Sequence, residues 1–213
     1  MRFLITAGPT REYLDPVRFI SNASSGRMGI AVARAALRRG HEVTLILGPV
    51  DAKPPKAARC IRVETTGQMA QACFEHFTRT DCVIMSAAVA DYKPAKRHNK
   101  KIKKSPGKMS LELKPTTDIL TELGRRKNRQ LLIGFALETD ASRANALAKL
   151  KKKNLDYVVA NSPASLSSEQ IDAVILARDA RTLFAGTISK LSLARRLVLL
   201  AESHAAGKPD LLF

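Results

Sequence analysis

Short apolar runs alternate with stretches of helical periodicity along nearly the whole chain, and this limits the available folds more than any other feature. The runs are Phe3–Thr6, Glu42–Leu47, Cys82–Ser86, Leu131–Ala136 and Tyr157–Ala160. Between and around them, apolar residues at helical spacing mark Arg27–Arg39, Gly67–Phe77, Asp118–Arg126, Ala141–Lys153 and Ser189–Ser203. Gly40 stands where the first of these helices needs a C-terminal cap. Arg59–Glu64 and Met109–Leu113 read as further short strands, and Ala173–Leu176 with Thr182–Phe184 as a hairpin. Such alternation predicts an α/β, Rossmann-like, mostly parallel sheet with helices on both faces. With 213 residues the chain suits one domain, 1–213.

Residues 93–108, "KPAKRHNKKIKKSPGK", break the pattern. Half of them are Lys or Arg, none is acidic, and they carry no apolar face, so they read as an extended, exposed and mobile arm within the domain. The formal charge of +17 predicts attraction to polyanions, either nucleic acid or a polyphosphate substrate. Cys60, Cys73 and Cys82 form no C-x-x-C pair and read as free thiols. No apolar run is long enough to span a bilayer, and Met1–Leu4 leads directly into a strand, so the expectation is a cytoplasmic chain with no membrane partner.

Ligands of such sheets bind at the carboxyl ends of the strands. There the sequence places Gly8 with Pro9, then "FISNASSGRMG" (19–29), "SAAVADYKP" (86–94), Ala136–Thr139 and Asn161. In the 19–29 loop, Gly26 and Gly29 permit close backbone approach, and a helix beginning near Arg27 directs its N–H groups and positive dipole end outward. The loop is either a phosphate cradle or an ordinary turn capped by Ser25. It matches neither G-x-x-x-x-G-K-[ST] nor G-x-G-x-x-G. Tyr92 and Lys96 match Tyr-x-x-x-Lys, but Pro94 argues against the helix that such a pair needs.

Taken in order, "ITAGPTREYLDPVRFISNASSGRMG", "SAAVADYKP", "KIKK", "TTDIL", "GFALET", "KLKKKNLD" and "VVAN" resemble the phosphopantothenate–cysteine ligases. The resemblance implies ligation of 4′-phosphopantothenate to cysteine through an acyl-cytidylate, in coenzyme A biosynthesis. The "KIKK" segment looks like the bacterial, CTP-using type, with no flavin decarboxylase in the same chain. By resemblance, Asn22 and Lys101 are catalytic. Gly8, Ser24, Gly26, Gly29 and Asn161 would hold nucleotide phosphates, with Ser86, Ala87 and Asp91 alongside. Thr117, Asp118, Ile119 and Leu120 would lie against the base, with Phe135, Lys149 and Lys153 also on the nucleotide. Asn22, Ala87, Ala88 and Asp91 would meet phosphopantothenate, and Asp91 would help to hold Mg²⁺. The family implies a homodimer. Around 162–172 the family's Phe-Gly and Asn are replaced by Ser-Ser and Asp172. The rival readings are an NAD(P) oxidoreductase of short-chain type and a nucleic-acid module built on the arm. Few aromatics flank the arm, which disfavours the second.

Overall fold

The structure is a computed structural model and describes residues 1–104, 106–137, 143–162 and 168–208. Twelve strands and five helices are seen among them. The chain lays β1 (Arg2–Ala7) in the middle of an eight-stranded sheet. It then adds β4 (Glu42–Leu47) and β5 (Arg59–Arg62) outward on one side. On the other side follow β6 (Cys82–Met85), β9 (Leu131–Leu137) and β10 (Tyr157–Asn161), all parallel. The last two strands, β11 (Gln170–Ala177) and β12 (Thr182–Ser189), are antiparallel. The strand order reverses at β1, which opens a crevice above its carboxyl end.

Alternate residues of β1 serve two cores. Phe3, Ile5 and Ala7 face α1 (Arg27–Arg38) and α5 (Lys190–Ala205). Leu4 faces the opposite layer, built from α2 (Thr66–Phe77), α3 (Ile119–Arg126) and α4 (Arg143–Lys152). Two caps follow residue type: Thr65 and Gln68 form a reciprocal capping box on α2, and Asp118 caps α3. The predicted start of α4 at Ala141 lies outside the described residues. Burial pushes the Cys73 thiol up to about 12, so it is inert packing, whereas Cys60 is only half-buried.

Met109–Leu113 is not the strand that its alternation suggested. The strand here, β8, is Leu113–Pro115, and it pairs only with β7 (Tyr92–Pro94). Met109 and Leu113 are exposed, so the alternating residues have no core to meet. A second small ribbon, β2 (Arg11–Tyr13) with β3 (Phe19–Ser21), interrupts the first crossover. The terminal hairpin is longer than expected, because polar Asp172 and Thr187 pair across it beyond its apolar centre.

The basic arm is attached at several points. Its first residues belong to β7, Ala95 N–H donates to the Glu112 carbonyl (2.9 Å), and His98 N–H donates to the Leu14 carbonyl (2.7 Å). At Ile102 the arm meets Asp15, in the turn between β2 and β3. The Asp15 carboxylate is fully buried and accepts from the backbone N–H groups of Val17, Arg18 and Ile102 and from the Arg18 guanidinium. Arg18 also donates to the Ile102 carbonyl at 2.7 Å. Burial pushes this carboxyl up, but the bonds to Arg18 and the three backbone N–H groups outweigh it and hold it far below the usual range. A carboxylate whose folded pKa is depressed contributes above its unfolded pKa and loses that contribution as pH falls through the folded value. The clasp is therefore expected to persist at pH 4. In Asp15→Asn, hydrogen exchange at Ile102 should quicken by about tenfold or more, since charge-assisted bonds are replaced by weaker ones. Unchanged exchange would show that the arm is held elsewhere.

Candidate active site

Buried hydroxyls build the floor of the crevice by tying β1 to the loop after β6. Ser86 Oγ donates to the Thr6 carbonyl (2.7 Å), and Ala87 N–H donates to Thr6 Oγ1 (3.2 Å). Ala90 N–H donates to Thr10 Oγ1 (2.9 Å), and Ala88 N–H donates to the Gly8 carbonyl (2.9 Å). Gly8 adopts φ +80, and a Cβ there would lie 3.0 Å from a Val50 methyl, so glycine suits the position twice over.

Above this floor lies a cavity of about 490 Å³. Its wall gathers Asn22, Ser24 and Gly26 from before α1, and Ser86, Ala87, Ala88 and Asp91 from after β6. Thr117, Asp118, Ile119 and Leu120 come from the start of α3, Phe135 from β9, Lys149 and Lys153 from α4 and its end, and Asn161 from β10. Three expected site residues are elsewhere. Gly8 supports the floor. Gly29 faces β1, where a Cβ would come within 2.5 Å of the Ala7 Cβ, so its place is helix-to-strand packing. Lys101 is exposed on the arm beside the Asp15 clasp.

The N-cap of α1 is Gly26, not Ser25, with φ 69 and no side-chain cap bond. No acidic residue occupies the first turn, so the helix presents its positive end to the cavity without a capping side chain. Asn22 Nδ2 donates to the carbonyls of Val89 (2.9 Å) and Ala88 (3.3 Å), which holds the 19–29 loop against the loop after β6. Asp118 accepts from Thr121 N–H (3.1 Å) and from Lys153 Nζ (2.9 Å). Burial raises its carboxyl, but Lys153 and Thr121 more than offset this and leave it below the ordinary range. Gly124 explains how Lys153 reaches Asp118: a Cβ on Gly124 would lie 2.1 Å from the Lys153 carbonyl, so only glycine lets α3 meet the end of α4. Lys149 Nζ donates to the Phe135 carbonyl at 2.6 Å.

The sequence reading missed Arg27, Ile171 and Lys190 on the same wall. A lysine at the first position of a helix opposes the macrodipole, and that was the available signal at Lys190. Tyr92 lies in β7 and not on a helix, so Tyr92 and Lys96 do not share a helical face. Among the described residues, no helix is long and apolar enough to cross a membrane, and no cluster of three His, Cys, Asp or Glu side chains is placed to hold a metal.

The model of the DNA/pantothenate metabolism flavoprotein C-terminal domain family matches residues 1–203. The chain belongs to this family. It is 38% identical to the C-terminal domain of the coenzyme A biosynthesis bifunctional protein CoaBC in a crystal structure, covering 97% of this chain and 96% of that one with a TM-score of 0.85. It is 50% identical over 159 residues to coenzyme A biosynthesis bifunctional protein CoaBC of Bacillus subtilis (strain 168), covering 74% of this chain and 39% of the relative. A cysteine/cysteine sulfinic acid decarboxylase from an unknown prokaryotic organism is 53% identical over 163 residues, covering 76% of this chain and 45% of that one. The chain thus matches less than half the length of these two curated relatives.

Proposed function

We propose that the chain is a phosphopantothenate–cysteine ligase acting with CTP in coenzyme A biosynthesis. One observation carries this reading: loops from four parallel strands and the starts of three helices meet in one cavity whose described residues include two amides, hydroxyls, two carboxylates and three lysines. Family membership and the likeness to a CoaBC C-terminal domain support it. The decarboxylase name belongs to a chain of which this one matches 45%.

A carboxylate is a poor acylating agent until its oxygen becomes a leaving group. Attack of the phosphopantothenate carboxylate on the α-phosphorus gives an acyl-cytidylate and releases pyrophosphate. The cysteine amine then attacks the acyl carbon, and CMP leaves. Gly26, Ser24 and the open end of α1 receive phosphate, with Asn161 beyond them, while Gly8 and Gly29 let the loops and helix close on that position. Asp118 accepts from the cytosine amino group, with Thr117, Ile119, Leu120 and Phe135 around the ring. Ala87 and Ala88 leave room for phosphopantothenate beside Asn22, and Ser86 closes the floor. Lys149 and Lys153 stand on the nucleotide side.

Mg²⁺ fits modestly. Among the described residues, Asp91 and Asp118 are the carboxylates on the wall, and Asp118 is already bound to Lys153 and Thr121. Of these, Asp91 would be the ligand, with phosphates and water beside it, and the ion would neutralise phosphate charge.

A homodimer is part of the proposal. Val17, Phe19, Tyr92, Met109 and Leu113 are large, apolar and exposed on the two small ribbons and the chain beside them, and β2 contacts β7. Sedimentation should give twice the chain mass, and a monomer at micromolar concentration would refute this part.

The deciding assay supplies phosphopantothenate and cysteine with each nucleoside triphosphate in turn. Release of CMP and pyrophosphate with stoichiometric amide is expected. Turnover with no nucleotide, or none with any, would refute the ligase reading.

A further inference from the structure

We propose that Lys190 and Arg27 form the seat of the terminal phosphates of the nucleoside triphosphate and of the departing pyrophosphate, so that this corner separates a triphosphate from a monophosphate. The inference rests on the reading of the cavity as a nucleotide site.

Lys190 is only 6% exposed and lines the cavity. It opens α5, whose N-cap Ser189 pairs with Gln170 across the terminal hairpin. Arg27 opens α1, which packs along α5, and it lines the same cavity. Neither helix carries an acidic residue in its first turn. Each instead has a cation at its positive dipole end, an unfavourable placement unless an anion joins it. The carboxylate beside them is Glu169. It binds Arg27 Nη1 at 2.6 Å, and its backbone carbonyl accepts from Lys190 N–H at 3.0 Å. Among the described residues, two cations and one carboxylate give this corner a positive balance. The Glu169 side chain is 77% exposed, so it can swing out when a stronger anion arrives. Burial lowers the Lys190 pKa, Glu169 raises it and Arg27 lowers it again, in keeping with a cation held where charge is expensive.

Lys149 and Lys153 line the other side of the cavity, where they bond the Phe135 carbonyl and Asp118. A nucleotide whose base lies at the start of α3 and whose α-phosphate lies near Asn22 thus runs its tail toward Arg27 and Lys190. When the carboxylate oxygen bonds to the α-phosphorus, the bond from that phosphorus to the bridging oxygen breaks. The electron pair leaves with pyrophosphate, whose added charge these two cations meet.

The test is calorimetric binding of inorganic pyrophosphate and of CMP to the full chain, to Lys190→Met and to Glu169→Gln. Lys190→Met should weaken pyrophosphate about tenfold or more and CMP less than about threefold, and Glu169→Gln should tighten pyrophosphate about threefold. Lys190→Met should still melt in one cooperative transition, so that the loss of pyrophosphate binding is not a loss of fold. No pyrophosphate binding by the parent chain, equal binding by parent and Lys190→Met, or equal weakening of pyrophosphate and CMP would each overturn the proposal. Lysine-dependent pyrophosphate binding without ligation of any substrate would refute the ligase reading and leave this seat standing.

Discussion

Asn22→Asp is expected to make the acyl-nucleotide and then stall, with amide formation slowed by about 10²–10³-fold, the usual loss when one oxyanion donor is removed. The two side chains match in shape, so the substitution removes the donor without changing side-chain volume. Asn22 now donates to two carbonyls, and the longer bond, 3.3 Å to Ala88, is the one that can turn toward a developing oxyanion. A carboxylate there has no proton to donate and repels both carbonyls and the oxyanion. Pyrophosphate release without cysteine should persist while amide formation fails. Because Asn22 is exposed, its loss should scarcely move the melting temperature. Undiminished amide formation would remove Asn22 from the mechanism.

Lys101→Gln is expected to abolish the earlier step, with pyrophosphate release falling by at least about 10²-fold, the scale of losing a charged partner at the transferring phosphoryl group. Lys101 is exposed and away from the cavity wall, so it reaches the α-phosphate and carboxylate only if the arm closes once they are bound. CTP binding should survive, because the cavity's own cations are untouched. Lys103→Gln and Lys104→Gln, which act only through general attraction, should cost a few-fold at most, and this should fade with salt. Equal losses at all three lysines would mean that charge, not position, is what the arm supplies.

Much of the architecture was legible because buried parallel strands are apolar on both faces and stand out as runs such as "CVIM" and "YVVA". The small ribbons were not, since three residues such as Arg11–Tyr13 hold too little periodicity to register. Met109–Leu113 misled for the opposite reason: its alternation is real, but no core faces it. At the site, the residues carried by resemblance gather on the cavity wall except Gly8, Gly29 and Lys101. Gly29 could not be told from a ligand-facing glycine without knowing which side of α1 meets β1. Lys190 was passed over inside an ordinary helix start, and its signal was electrostatic rather than periodic. The 162–172 segment, whose departure from the family pattern left its role open, contributes Glu169 beside Arg27; residues 163–167 lie outside the described residues.

The Asp15 clasp has a mechanical consequence. The turn that grips Ile102 is the same turn from which β3 runs on to Ser21 and then Asn22. Lys101 and Asn22 therefore hang from opposite ends of one short lever. A residue inserted between Leu14 and Arg18 would put the two groups out of step, even though it touched neither of them.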